Sequence, residues 1–162
     1  MKIRKIMSKP AQTCRLDDTL NIAAKQMWEH DCGVVPVVNE HGSIVGMLTD
    51  RDICMSAYTQ GRVLSAIPVS EAMATKIFSV HANDTVEAAE KVMREQQIHR
   101  VPVIDGDNRP VGVLSLNDIA RFASSSSGNG IDRDVVQTLA AISQPRPAGS
   151  QKQEALEQAT MS

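Results

Sequence analysis

Apolar and polar positions along the chain follow two rhythms that alternate. Leu20, Ala23, Ala24 and Met27 recur at helical spacing behind the polar cluster Asp17-Asp18-Thr19, which offers N-cap residues, and the pattern predicts a helix ending near Asp31-Cys32-Gly33. Val34 to Val38 is a continuous β-branched run that reads as a strand, and its Pro36 points to an edge position or a bulge. Asn39-Glu40-His41-Gly42 supplies turn chemistry for a hairpin whose second arm runs from Ser43 to Leu48, and a helix from Asp50 to about Ala57 follows. With a short strand over residues 11–15 in front, the order is β-α-β-β-α. Residues 1–10 form a helical lead-in with Ile3, Ile6 and Met7 on one side, ended by Pro10.

The same rhythm then recurs. A strand over residues 77–80 precedes a helix capped by Asn83-Asp84-Thr85, with Val86, Ala89, Val92 and Met93 on its buried side. A hairpin joins Val101–Ile104 to Val111–Leu114 around Asp105-Gly106-Asp107-Asn108, and a helix runs on into Phe122. The offset is constant: Gly112 follows Gly46 by 66 positions, as Met73 follows Met7, Thr85 follows Thr19 and Pro102 follows Pro36. The expected organisation is a first repeat over 1–60, a linker over 61–70 carrying Gly61 and Pro68, and a second repeat over 71–123. A Ser/Gly linker over 124–130, a C-terminal helix over 131–144 with Val135, Val136, Leu139 and Ile142 on one side, and a disordered tail over 145–162 complete it. A unit of about 50 residues is marginal as a core on its own. The fold class expected is therefore mixed α/β (α+β), two units packed face to face through their sheets with pseudo-twofold symmetry and two related clefts between them.

The stretch written twice with most chemical content is Gly46-Met47-Leu48-Thr49-Asp50-Arg51-Asp52-Ile53, matched by Gly112-Val113-Leu114-Ser115-Leu116-Asn117-Asp118-Ile119. Each is an apolar strand ending in a hydroxyl that turns straight into a helix. A hydroxyl there sits beside free helix N–H groups, where an anion is favoured, and an Asp one turn on presents a carboxylate to a vicinal diol. Phosphate and sugar together make the footprint of a nucleotide. Thr and Asp at this spacing are equally an ordinary cap and first-turn acid; the duplication favours ligand contact.

Composition narrows the field. The net charge is −2, and Trp28, Tyr58, Phe78 and Phe122 are the only aromatic residues, so neither a basic field nor a stacking platform for nucleic acid exists. No apolar run is long enough to cross a bilayer and the basic N-terminus lacks a signal-peptide core, so no membrane association is expected. Three widely spaced cysteines suit a reducing cytoplasm, and the four histidines have no metal-site spacing.

The doubled Gly-apolar-apolar-Thr/Ser-x-x-Asp motif, the Val-Pro-Val strands, the Asp-Thr pairs and Met7 with Met73 are similar to a tandem pair of CBS domains, over roughly residues 2–123. Small stand-alone bacterial members look especially similar, down to Thr49-Asp50-Arg51-Asp52. The resemblance implies a non-enzymatic regulatory module that binds adenosine compounds: AMP, ADP or ATP (with Mg2+ in the case of ATP), S-adenosylmethionine or NAD(H). By position it assigns ribose hydroxyls to Asp52 and Asp118, and phosphate or ribose to Thr49 and Ser115. It places adenine near Ala11 or Ile77 and the strands holding Pro36 or Pro102. His99-Arg100 precedes the second Val-Pro-Val strand, a position that contacts phosphates in a similar regulatory subunit, whereas the first repeat offers Arg51 where the second has Asn117. Unequal clefts are the expectation. The family also implies a homodimer, a disc of four repeats, acting in trans on an unidentified regulated protein. No Walker loop, nucleophile triad or metal cluster is legible to support an enzyme; an adaptor with degenerate clefts is the alternative.

Overall fold

A computed structural model describes residues 1–125 and 131–142. The first unit contains β1 (Cys14–Arg15), α1 (Leu20–Glu29), β2 (Val34–Val38), β3 (Ile44–Thr49) and α2 (Asp50–Gln60). The second contains β4 (Val80–His81), α3 (Val86–Gln96), β5 (Arg100–Ile104), β6 (Pro110–Ser115) and α4 (Leu116–Ser125), and α5 (Ile131–Ile142) follows. Each unit holds a three-stranded sheet, β1-β2-β3 and β4-β5-β6, with the first pair parallel and the second antiparallel. The expected mixed α/β class with duplicated β-α-β-β-α units is thus the one observed.

Local chemistry repeats with the sequence. Asp18 Oδ2 accepts from the Arg15 amide at 2.8 Å and Asp84 Oδ2 from the His81 amide at 2.7 Å, closing both strand-to-helix turns. Asn39 and Asp105 each accept two backbone amides in the hairpin loops, at 2.9–3.1 Å. β2 is the middle strand of its sheet, so the edge position suggested by Pro36 is not what the chain adopts. Proline is tolerated there because β1 is only two residues long and pairs with Val37 and Val38, and a bulge lies between those two. Pro102 and the Val103/Ile104 irregularity repeat this.

The lead-in and the inter-unit stretch exchange places. Residues Ile3–Lys5 form a 3-10 turn whose Ile3 is fully buried in the core of the second unit, beside Val86, Met93, Val101 and Leu114. The equivalent turn, Val69–Glu71, places Ile67 and Val69 in the core of the first unit, with Leu20, Met27, Val35 and Leu48. Ser8 exchanges two backbone hydrogen bonds with Val113 (2.9 and 3.0 Å), and Ala74 exchanges two with Met47 (both 2.9 Å). Each exchanged segment thereby lengthens the sheet of the opposite core, the arrangement a pseudo-twofold axis produces.

α5 packs on α3 and α4. Its buried side differs from that expected: Ile142 enters the second core, Thr138 is fully buried and Val135 packs alongside, while Val136 and Leu139 face outward. Thr138 Oγ1 accepts from Arg94 Nη1 at 2.9 Å and lies 3.4 Å from Glu90 Oε1. These polar partners on α3 fix the helix rotation that apolar spacing alone misread. The tail over 145–162 and residues 126–130 of the expected Ser/Gly linker lie outside the described residues.

The exchanged strands explain both motif glycines. A Cβ on Gly112 would lie 2.8 Å from the Ser8 carbonyl and 2.9 Å from Met7 Sδ; one on Gly46 would overlap Met73 Sδ and lie 3.1 Å from the Ala74 carbonyl. Gly112→Ala is expected to cost about 1–3 kcal/mol, because a backbone oxygen cannot step aside. Gly106→Ala, with nothing within 4 Å, serves as the control. Urea denaturation checks this; equal midpoints for the two variants would contradict the close approach.

Candidate functional site

A cleft of about 490 Å³ opens between the units. It is built from residues 8–12 ahead of β1, residues 30–34 at the α1–β2 junction, Arg100 and Val113 on the second sheet, and the first turn of α4. Both units are needed to make it. Asp31, on its rim, adopts a left-handed conformation (φ 48°), and its repeat equivalent Gln97 does the same (φ 52°).

At the floor lies the second copy of the doubled motif. Ser115 Oγ donates to Asp118 Oδ2 at 2.6 Å and accepts from the Asp118 amide at 3.1 Å, while the Ser115 amide donates to Oδ2 at 2.9 Å. The first copy is the same box: Thr49 Oγ1 to Asp52 Oδ2 at 2.7 Å, Asp52 amide to Oγ1 at 3.1 Å, Thr49 amide to Oδ2 at 2.8 Å. The cap reading is therefore realised in both copies. Each hydroxyl has already donated its one proton and faces any ligand only as an acceptor.

The remaining carboxylate oxygens differ. Asp118 is buried, and its Oδ1 accepts from Ser8 Oγ at 3.3 Å and from Arg121, one helical turn on. Among the described residues Asp52 Oδ1 accepts no hydrogen bond, because Ala74 and Met55 stand where Ser8 and Arg121 stand in the other repeat. Arg100 reaches over Gly33, where an added Cβ would lie 3.3 Å from its Nη2 and 2.9 Å from Asp50 Oδ2. The lining carries Lys9, Arg100 and Arg121 with Asp31 and Asp118, and the Asp50 carboxylate lies beside Arg100, so positive and negative groups are matched there.

Of the residues singled out in the sequence, Ala11, Arg100, Ser115, Asn117 and Asp118 come together here. Thr49, Arg51 and Asp52 belong to the equivalent edge of the first unit, and Ile77 occupies there the position of Ala11. His99 is exposed before β5, and Pro36 and Pro102 are buried at strand centres outside this lining. Ser8 and Arg121 were missed. Arg121 was readable in principle, since i+3 spacing on a helix sets it beside Asp118; Ser8 lies 110 positions away and only the exchange brings it in. Among the described residues no three His, Cys, Asp or Glu side chains gather as a metal site, and no helix is long and apolar enough to cross a membrane.

Known proteins resemble this arrangement. The CBS domain family model matches residues 3–57 and 69–125. The chain is 37% identical over 131 residues to the CBS domain-containing protein YhcV of Bacillus subtilis, covering 80% of this chain and 91% of that protein. Among solved structures, the CBS domain pair of protein MJ0100 in complex with 5′-methylthioadenosine and S-adenosyl-L-methionine superposes with a TM-score of 0.70 at 30% identity, covering 77% of this chain and 97% of that one. Hypoxic response protein 1, with two coordinated zinc ions, superposes with a TM-score of 0.67 at 36% identity, covering 75% and 98%; that protein is known from Mycobacterium tuberculosis.

The cysteines report on this geometry. Burial, and then the nearby Asp18 carboxylate, push the Cys14 thiol up to about 12. Burial also raises Cys32, on the cleft wall, against the opposing pull of the Val34 amide and Arg100. Cys54 is exposed. Since the thiolate is the reactive form, alkylation at pH 8 should modify Cys54 first, Cys32 slowly and Cys14 only on unfolding, as read by peptide mass spectrometry. Cys14 reacting at the rate of Cys54 would contradict the buried position.

Proposed function

The chain belongs to the CBS domain family, and from that premise we propose that it is a cytoplasmic regulatory module without catalysis of its own. It takes an adenosine-type ligand into the cleft between its repeats and reports occupancy to a partner protein. The observation that carries this reading is the inter-unit cleft itself, with a buried carboxylate beside a hydroxyl on its floor and guanidinium groups on its wall. Its volume lies in the range of small-molecule sites. The adenosine compounds in the MJ0100 domain pair support the ligand class.

The roles divide by hydrogen-bond capacity. Asp118, and Asp52 in the sister cleft, accept the ribose hydroxyls. Ser115 and Thr49 hold those carboxylates in place and offer the sugar a lone pair, because their protons are committed. Phosphate falls to Arg100, through its fork of donors, in the Asp118 cleft and to Arg51 in the sister cleft, with His99 and Asn117 as further hydrogen-bonding side chains. Ala11 and Ile77 supply apolar wall for the base, and Pro36 and Pro102 shape the strands behind it. ATP would bring Mg2+ through its own phosphates.

The module works as a homodimer. α5 covers the outer face of α3 and α4, and among the described residues nothing covers the equivalent face of α1 and α2. It presents Ile22, Met55, Tyr58 (80% exposed) and Trp28 (88% exposed), and Trp28 stands where Arg94 meets α5 in the other repeat. A large apolar cluster on a soluble domain marks a contact surface.

A thermal-shift screen of the whole chain against AMP, ADP, ATP, S-adenosylmethionine, methylthioadenosine and NAD(H) tests the ligand class. A ligand at a hundred times its dissociation constant stabilises by about 2.7 kcal/mol, a shift of several degrees at this size. Arg100→Ala and Asp118→Asn should diminish the shift, and bound ligand should slow Cys32 alkylation. No shift with any of these compounds sinks the sensor reading and leaves the protein–protein adaptor. For the dimer, light scattering after gel filtration should give twice the chain mass for the natural protein and the single mass for Trp28→Glu; a monomeric natural protein would refute that part.

A further inference from the structure

One point on the boundary between the units is built differently from its pseudo-twofold counterpart. Arg100, the first residue of β5, lines the cleft and reaches from the second unit over Gly33 of the first. Asp50, the first residue of α2, comes to the same spot: a Cβ on Gly33 would lie 3.3 Å from Arg100 Nη2 and 2.9 Å from Asp50 Oδ2. At the repeat offset, Gly33, Asp50 and Arg100 correspond to His99, Leu116 and Val34. All three positions change together, while the backbone does not. The Asp50 amide donates to the Gly33 carbonyl at 3.2 Å, as the Leu116 amide does to the His99 carbonyl at 2.9 Å. Gly33 lies outside the left-handed region, and His99 carries a side chain on the same backbone, so the fold does not require a glycine here. Among the described residues the half-buried Arg100 side chain makes no hydrogen bond or ion pair, and its donor fork is open.

We propose that Gly33 is a positioning residue, kept without a side chain so that Arg100 can stretch across the unit boundary to a phosphate on the ligand, and that Asp50 is the internal anion this phosphate displaces. The proposal rests on the adenosine reading of the cleft and says how phosphate-bearing members of that class are told from neutral ones. A phosphate offers the guanidinium more acceptor oxygens and more negative charge than a carboxylate, in matching fork geometry. Asp50 is exposed and its Oδ1 accepts from the Arg51 amide at 2.8 Å, so on losing Arg100 it stays solvated in the first turn of α2, where a carboxylate is favoured. Adenosine or methylthioadenosine brings no anion and gains nothing from the seat. A side chain at position 33 would push the guanidinium aside without disturbing the fold, because the atoms it meets are the ends of two flexible side chains.

Cys32 lines this cleft, so the ligand concentration that halves its alkylation reads occupancy there. On the natural chain, AMP should reach half-protection at a concentration at least about tenfold below adenosine, the scale of one charge-assisted contact. Gly33→Ala should bring that ratio close to one, chiefly by weakening AMP. Asp50→Asn, which keeps an acceptor for the Arg51 amide and removes the charge, should widen the ratio by about two- to fivefold, the range of an exposed ion pair, and the gain should fade in high salt. Should Gly33→Ala melt well below the natural chain, Asp50→Asn carries the test alone. Equal protection by AMP and adenosine on the natural chain, a ratio unchanged in a folded Gly33→Ala, or one unchanged or narrowed in Asp50→Asn would overturn the seat while leaving the adenosine site standing. Failure of both compounds to protect Cys32 or shift the melting temperature of the natural chain would overturn the site and the seat together.

Discussion

Each core of this protein is closed by a segment that the other half of the chain delivers. Ile3 completes the second core and Ile67 with Val69 completes the first, and the backbone pairs Ser8–Val113 and Ala74–Met47 fasten the exchange. Units of about 50 residues bury too little surface to stand alone, and the exchange removes that weakness by making neither core complete without the other. It also fixes where the cleft lies. The lead-in that crosses over continues through residues 8–12, which form one wall of the cleft whose floor is Ser115 and Asp118. The cleft is therefore tied to the same segment that closes the second core, and the close passage over Gly112 holds both in register.

The doubled motif serves structure before it serves any ligand. Its glycine admits the crossing strand, and its hydroxyl and carboxylate form a reciprocal cap on α2 and α4. Such a cap contributes roughly 1 kcal/mol, so a diol that shares the carboxylate must leave the cap intact or offset its loss. Asp52 can do so, because the capping oxygen and the open oxygen are different atoms. Asp118 also caps through Oδ2, and its other oxygen is spoken for by Ser8 and Arg121. Identical local caps thus leave the two carboxylates with different hydrogen bonding.

Much of this was legible in one dimension. The constant offset, the helical spacing of Leu20, Ala23 and Met27, and the turn residues at Asn39 and Asp105 reflect local rules, and the elements appear where those rules put them. What stayed hidden depends on long-range placement. Periodicity marks Ile3 as buried and is silent on which core receives it. Pro36 in a run of valines argues for an edge or a bulge; the strand is a middle one, with a bulge between Val37 and Val38, and a partner strand of two residues leaves room for the proline. On α5, Val136 and Leu139 match the apolar stripe, yet Thr138 is turned inward because Arg94 and Glu90 meet it there. Arg51 and His99-Arg100 were the differences between repeats that drew notice in the sequence, whereas Ser8 and Arg121 carry the difference in hydrogen bonding around the carboxylates.

A duplicated chain contains its own comparison. Positions that agree between the copies are the ones the fold requires: the glycines under the crossing strands, the methionines above them, the acids that close the strand-to-helix turns, the hydroxyl–carboxylate caps. Positions that disagree fall elsewhere. Ser8, Gly33 and Arg121 line the cleft where the other repeat has Ala74, His99 and Met55, and Arg94 against Trp28 separates a helix face covered by α5 from one that no described residue covers. Since both copies satisfy the same backbone, these departures are not needed to hold it. Comparing one repeat with the other within a single sequence therefore picks out the shared scaffold.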